Sequence, residues 1–192
     1  MALLNRSFYA RNTLQVAQDL LGKIIVRIVN NKKISGMIVE TEAYEYGDEA
    51  SHAYNKQTKR NQALFGPSGH AYIYSIHNHY CLNLVSHDKQ TLAGGVLIRA
   101  LEPLQGIDTM EKNRHTVSLR NLTNGPGKLC KAFAITKELY GHDVTHKGPL
   151  YVIDNKHDKN LSIISSPRIG ISKAKEKMWR FYIADNKWVS KK

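Results

Sequence analysis

The sequence predicts a single α+β domain, residues 1–192, around a mainly antiparallel sheet. Three observations point there. Apolar, β-branched runs of strand length recur in hairpin order. Helical stripes fall at intervals between them. No internal repeat, low-complexity tract or long linker divides the chain, and its length suits one core without staples.

Asn12-Thr13-Leu14-Gln15 reads as a helix start with a capping box, and Leu14, Ala17, Leu20 and Leu21 form a stripe that Gly22 ends. Lys23 to Val29, a turn at Asn30-Asn31-Lys32, and Ile34 to Tyr44 read as a β-hairpin. Within its second arm, Val39-Glu40-Thr41-Glu42-Ala43-Tyr44 sets acids inside a strand. Alternation puts Glu40, Glu42 and Tyr44 on one face and Val39, Thr41 and Ala43 on the other. If buried, such carboxylates have at least one raised pKa, a strain met mostly where a carboxylate has chemistry to do. An edge strand with a solvated acidic face fits the same hexapeptide.

A polar loop runs from Glu45 to Gly69. Ala71 to Ile76 and Tyr80 to Val85 are predicted strands around the tip His77-Asn78-His79, and Gly94-Gly95 introduces a strand at Val96 to Leu101. Helices are predicted over Ile107 to Arg114 and from Pro126 or Gly127, the latter turning Leu129, Ala132 and Phe133 inward. Short strands follow around Tyr151 to Ile153, Ser162 to Ile164 and Trp179 to Ile183.

Lys and Arg number 28 against 16 acids, a net charge of +12 with a pI near 9.7. The basic residues are dispersed, as on a folded surface that touches phosphates in several places; a merely soluble basic protein is the alternative. No stretch reaches spanning length and no basic amphipathic helix flanks an apolar anchor, so no membrane attachment is expected. Cys81 and Cys130 form neither a framework nor a CxxC pair, which favours a reduced, intracellular compartment.

Four constellations carry possible chemistry. Glu40, Glu42, Asp48, Glu49 and His52 are oxygen and nitrogen donors that a divalent cation accepts, but their spacing matches no dedicated metal motif. His77, His79 and Cys81 stand at i, i+2 and i+4, a soft-metal pattern or a coincidence. Tyr72 and Tyr74 share a strand face, and with Tyr44 they make either a core edge or a stacking slot for a nucleobase. In Asn124-Gly125-Pro126-Gly127-Lys128-Leu129, glycines before a helix suit a phosphate and plain capping equally.

In chain order, Asp19-Leu20-Leu21-Gly22-Lys23, Val39 to Tyr44, Asp48-Glu49-Ala50-Ser51-His52, Thr58-Lys59-Arg60-Asn61, Tyr72-Ile73-Tyr74, Cys81-Leu82-Asn83, Leu97 to Pro103, Gly125 to Cys130, Ser166-Pro167-Arg168-Ile169-Gly170 and Arg180-Phe181-Tyr182 closely resemble the alkyladenine (3-methyladenine) DNA glycosylase family. The resemblance covers nearly the whole chain; each segment is weak alone and the ordered set is specific. It implies a curved sheet with surrounding helices and a protruding β-hairpin. It also implies a monofunctional base-excision enzyme that removes alkylated or deaminated purines from double-stranded DNA. Such an enzyme is expected to work without metal or organic cofactor, as a monomer in the bacterial cytoplasm.

By position, the resemblance makes Glu42 the base that activates water and Arg99 its water-positioning partner. Tyr44, His52 and Tyr74 become the walls of the base pocket, His52 also reading the purine edge through its backbone. Asn83 becomes the residue that excludes guanine. Tyr72, His77, Asn78, Lys59, Arg60, Lys128 and Arg168 are the expected contacts to the rest of the DNA. No lysine is expected at the sugar, so strand cleavage is not. The chain departs from the family at the hairpin tip, where His77-Asn78 replaces a longer tip with an aromatic wedge. His77 is the candidate wedge, and a non-catalytic damaged-DNA-binding protein on the same fold is the alternative reading.

Overall fold

A 14-residue strand organises the molecule. The computed structural model describes residues 2–155 and 161–191. Helix α1 (Arg6–Tyr9) and helix α2 (Thr13–Asp19) precede strands β1 (Ile24–Val29) and β2 (Lys32–Glu45). Then come β3 (Ala71–Ile76), β4 (His79–Val85), β5 (Gly94–Gln105), helices α3 (Ile107–Arg114) and α4 (Pro126–Ala132), and β6 (Leu150–Ile153), β7 (Ile163–Ser166) and β8 (Arg180–Ile183). The sheet is curled and antiparallel in the order β3-β4-β5-β2-β1-β6, with β8 pairing both β2 and β7.

Local chemistry explains the turns and caps. The Asn12 side chain accepts hydrogen bonds from the Leu14 and Gln15 N–H groups, satisfying the free donors of α2. Asn30-Asn31 and His77-Asn78 are two-residue turns with all four φ angles positive, from 45° to 60°. Such turns match the twist of paired strands, and Asn tolerates that conformation better than His does. Lys32, expected in the first turn, instead opens β2 opposite Val29. Helix α1 carries too few residues to show a period and is absent from the sequence reading.

Strand β2 exchanges neighbours along its length. Its first half pairs β1 through residues 32–37, and residues 40–42 pair β8, while β5 follows the other edge from Ser35 to Glu45. The β2–β5 ladder steps from Ile38 opposite Leu101 to Glu40 opposite Ala100, then to Thr41 opposite Ile98. Val39 and Arg99 therefore each lack a cross-strand partner. Core parity changes with the first bulge, from Ile34 and Ile38 to Val39 and Ala43. Glu40 and Glu42 are left on the opposite face.

The main core joins the sheet to α2, α3 and α4 through Val16, Leu20, Ile25, Ile38, Leu82, Ile98, Met110 and Phe133. A smaller cluster of Ala53, Leu64, Tyr72, Val85 and Ala93 lies apart from it. Gly127 lets α4 approach β4: a Cβ there would lie 2.9 Å from the His79 Cβ. That close packing accounts for one glycine of the Gly-Pro-Gly segment. No helix among the described residues is long and apolar enough to cross a membrane.

Candidate active site

Glu42 is fully buried beneath a cavity of about 410 Å³ lined by Tyr44, His52, Tyr74, Arg99 and Ile169, among others. Its Oε2 accepts hydrogen bonds from the Tyr44 hydroxyl at 2.7 Å and Arg99 Nη1 at 3.2 Å, and its Oε1 from the Ile169 N–H at 2.7 Å. Burial pushes the Glu42 carboxyl above its usual range, and Arg99, the Ile169 N–H and Tyr44 pull it back without cancelling the shift. Burial, then the adjacent Glu42, pushes the Tyr44 phenol up, so it stays protonated and donates. For Arg99, burial works against the charge, but Glu42 and Glu40 outweigh it and hold the guanidinium charged. The bulge on β5 turns that side chain toward two carboxylates of β2.

The aromatic walls come from three elements. Tyr72 and Tyr74 stack at 5.7 Å between centroids, and Tyr74 meets the His52 ring edge-on at 4.6 Å. His52 Nδ1 lies 2.9 Å from the Tyr72 hydroxyl. Partial burial, and secondly Arg60, lower the His52 pKa and favour the neutral ring. Burial pushes the Tyr72 phenol up to about 12. Asn61, buried, ties down the loop: its Nδ2 donates to the carbonyls of His52 and Lys56 at 2.7 and 3.0 Å. A narrow crevice that shares Tyr44, His52 and Tyr74 with this cavity is also lined by Tyr72 and Asn83. Asn83 is buried, and its Nδ2 has no hydrogen-bond partner among the described residues.

The structure moves two residues expected at the DNA surface. Arg168 is buried: both its terminal nitrogens bond Asp48, Nη1 also donates to the Ala43 carbonyl at 2.9 Å, and the guanidinium lies over Tyr44 at 4.6 Å. Its charge is spent on a carboxylate that is itself 1% exposed, so it backs the Tyr44 wall and presents the next residue, Ile169, to Glu42. Tyr72 is likewise buried and supports His52 from behind. Lys59, Arg60, His77 and Asn78 are exposed; Lys128 is half-buried and donates to Asn121 and Asn124. Lys173, which the sequence reading did not place near the site, is exposed at the cavity rim.

The acidic metal candidates are not gathered. Glu40, Glu42 and Asp48 are engaged by arginines, and no group of three or more metal-ligating side chains occurs among the described residues. His77 stands in the turn rather than the strand, which breaks its row with His79 and Cys81. Neither the Asp48–Arg168 pair nor the Ile169 N–H was readable from spacing, since more than a hundred residues separate the partners. The only signal was the presence of Arg168 and Ile169 in one of the resembling segments.

An aromatic-walled cavity on a strongly basic chain suits an enzyme that draws a base out of duplex DNA, as a DNA glycosylase does. The family model for methylpurine-DNA glycosylase matches residues 7–187. Similar proteins provisionally named 3-methyladenine DNA glycosylases occur in Clostridium novyi (46% identity, covering 100% of both chains) and Carboxydothermus hydrogenoformans (47%, 99% of this chain and 100% of the relative). One from Clostridium perfringens is 47% identical over 98% of this chain and 99% of its own. The chain belongs to the methylpurine-DNA glycosylase family.

Proposed function

We propose that this protein hydrolyses the N-glycosidic bond of damaged purines flipped out of duplex DNA, with Glu42 as the general base. The observation that carries the reading is the fully buried Glu42, held by Tyr44, Arg99 and Ile169 at the foot of the aromatic cavity. A target inside a duplex is out of reach, so the nucleotide is extruded at a cost of a few kcal/mol and received between Tyr44, His52 and Tyr74. N-alkylated purines are cationic, and each electron-rich ring face favours them by roughly 0.5–2 kcal/mol.

Glu42 takes a proton from water as the water oxygen bonds C1′, and the C1′–N bond breaks with its electron pair leaving on the purine. Arg99 orients the water and favours the ionised form of Glu42. The alkylated purine leaves as a neutral base; hypoxanthine, neutral in the DNA, needs added protonation or hydrogen bonding. The unpaired Asn83 amide at the crevice floor suits discrimination against guanine's exocyclic amine. Substrates proposed are 3-methyladenine, 7-methylguanine, hypoxanthine and ethenoadenine, with double-stranded DNA as the partner. Lys59, Arg60 and Lys128 are proposed phosphate contacts, and His77-Asn78 the wedge.

The test is base release in EDTA from duplexes holding one hypoxanthine or ethenoadenine, and from methylated DNA. Abasic sites are expected with the native protein and none with Glu42→Gln, which should still bind. Loss of binding together with release would make Glu42 structural, and strand cleavage halted by EDTA would replace the reading with a metal nuclease.

A further inference from the structure

Glu40 takes no part in the chemistry above, yet it is fully buried and held on every side. Its Oε1 accepts from Arg180 Nε at 2.7 Å and from the Ser190 hydroxyl at 3.0 Å, and its Oε2 from the Ser190 N–H at 2.7 Å. Arg180 is fastened in turn to the Ser166 hydroxyl at 3.1 Å and to the Lys191 carbonyl. Arg99 lies between the two carboxylates of β2. Its Nε is 3.4 Å from Glu40 Oε1 without forming a hydrogen bond, and its Nη1 donates to Glu42. No ladder partner stands opposite Arg99.

Four buried charges thus alternate in sign from Arg180 through Glu40 and Arg99 to Glu42. For stability alone, apolar side chains of similar volume serve as well or better. What the charges add is orientation. Attraction at the Nε edge turns the opposite edge of the guanidinium toward Glu42 and the cavity.

We propose that Glu40, locked by Arg180 and Ser190, is a positioning residue that holds Arg99 in its working orientation against Glu42. This rests on the reading of Glu42 and Arg99 as the reacting pair. The titratable groups around Glu42 are Arg99 from β5, Tyr44 and Glu40 from β2, Tyr74 from β3, Cys81 from β4 and Arg180 opposite it in β8. Of these, Glu40 alone is an anion, so it opposes ionisation of Glu42 while it steers Arg99.

The experiment is single-turnover excision of hypoxanthine by Glu40→Gln, which keeps the size and removes the charge. The rate is expected to fall about tenfold, because a small misplacement of a catalytic partner is costly. DNA affinity should stay within about twofold. A merely structural defect would lower the rate whether or not Arg99 is present. In an Arg99→Ala background, Glu40→Gln should cost nothing further.

An unchanged rate, or full additivity with Arg99→Ala, overturns the proposal. Should Glu40→Gln fail to fold, deletion of residues 190–192 loosens Glu40 from outside; a native rate in that variant also overturns it. If Glu42→Gln still releases base, the reading of the site itself is wrong. An inactive Glu42→Gln beside a Glu40→Gln of native rate defeats this inference alone.

Discussion

Tyr44→Phe isolates one hydrogen bond of the site. The substitution keeps the ring that walls the cavity and removes only the hydroxyl, which donates to Glu42 Oε2 at 2.7 Å. A bond donated to an ionised group stabilises that form by about 1.5–3 kcal/mol. Each 1.36 kcal/mol is a factor of ten, so losing the bond raises the Glu42 pKa and lowers the rate on the acid limb by about ten- to a hundredfold. Tyr44 is only half-buried, and water entering from the cavity can replace part of the lost bond, which favours the lower end.

The sign follows from the state Glu42 must occupy. A general base works ionised, so raising its pKa moves the acid limb of the rate profile to higher pH. On that limb the rate falls about tenfold for each unit of displacement. Single-turnover excision of hypoxanthine at saturating protein, from about pH 5 to 9, reads the limb directly. A limb that stays in place or moves down, with DNA binding intact, would refute the assignment of Glu42 as the base held by Tyr44.

Arg168→Met should leave the Asp48 carboxylate buried with Lys177 at 3.3 Å as its one cation and the Ala50 N–H at 3.4 Å, and cost about 3–5 kcal/mol of stability, read as a lower urea midpoint. An unchanged midpoint would contradict the internal role given to Arg168. His77→Tyr should strengthen binding to damaged duplex and extrusion of its base, since a larger ring fills more of the gap; unchanged or weaker flipping, followed by 2-aminopurine fluorescence, counts against His77 as the wedge. Burial raises the Asp143 carboxyl, but bonds from the Thr145 hydroxyl and N–H and from Arg6 at 2.5 Å outweigh it and hold the pKa well below the carboxylate range. A depressed pKa adds stability that is fully present above the unfolded value, near about 3.9, and is lost as pH falls through the folded one. Melting temperatures of Asp143→Asn should therefore converge on those of the native protein in strong acid and lie below them at neutral pH; a constant gap between the two curves would speak against it.

Periodicity and turn chemistry are local properties, and the elements that depend on them were legible. The β1–β2 and β3–β4 hairpins, the Asn12 cap and the helix over 107–114 each follow from residues a few positions apart. Net charge is a sum over the chain, so the expectation of a polyanion partner needed no structure. Ordered segments along the whole length pointed to the family that the chain belongs to.

What the tertiary structure decided is which distant groups meet. Alternation correctly separates Glu42 from Thr41, but it cannot tell a solvated acidic face from a buried one. The exchange of β1 for β8 along β2 seals Glu40 and Glu42. The bulges at Val39 and Arg99 depend on two strands pairing out of step, which neither strand's sequence records. Arg168 was expected among the DNA contacts, and nothing near it in the chain marks an internal partner. Its partner, Asp48, lies 120 residues away. Burial makes such pairs obligatory: a charge withdrawn from water must find its opposite, and only the folded chain brings the two together.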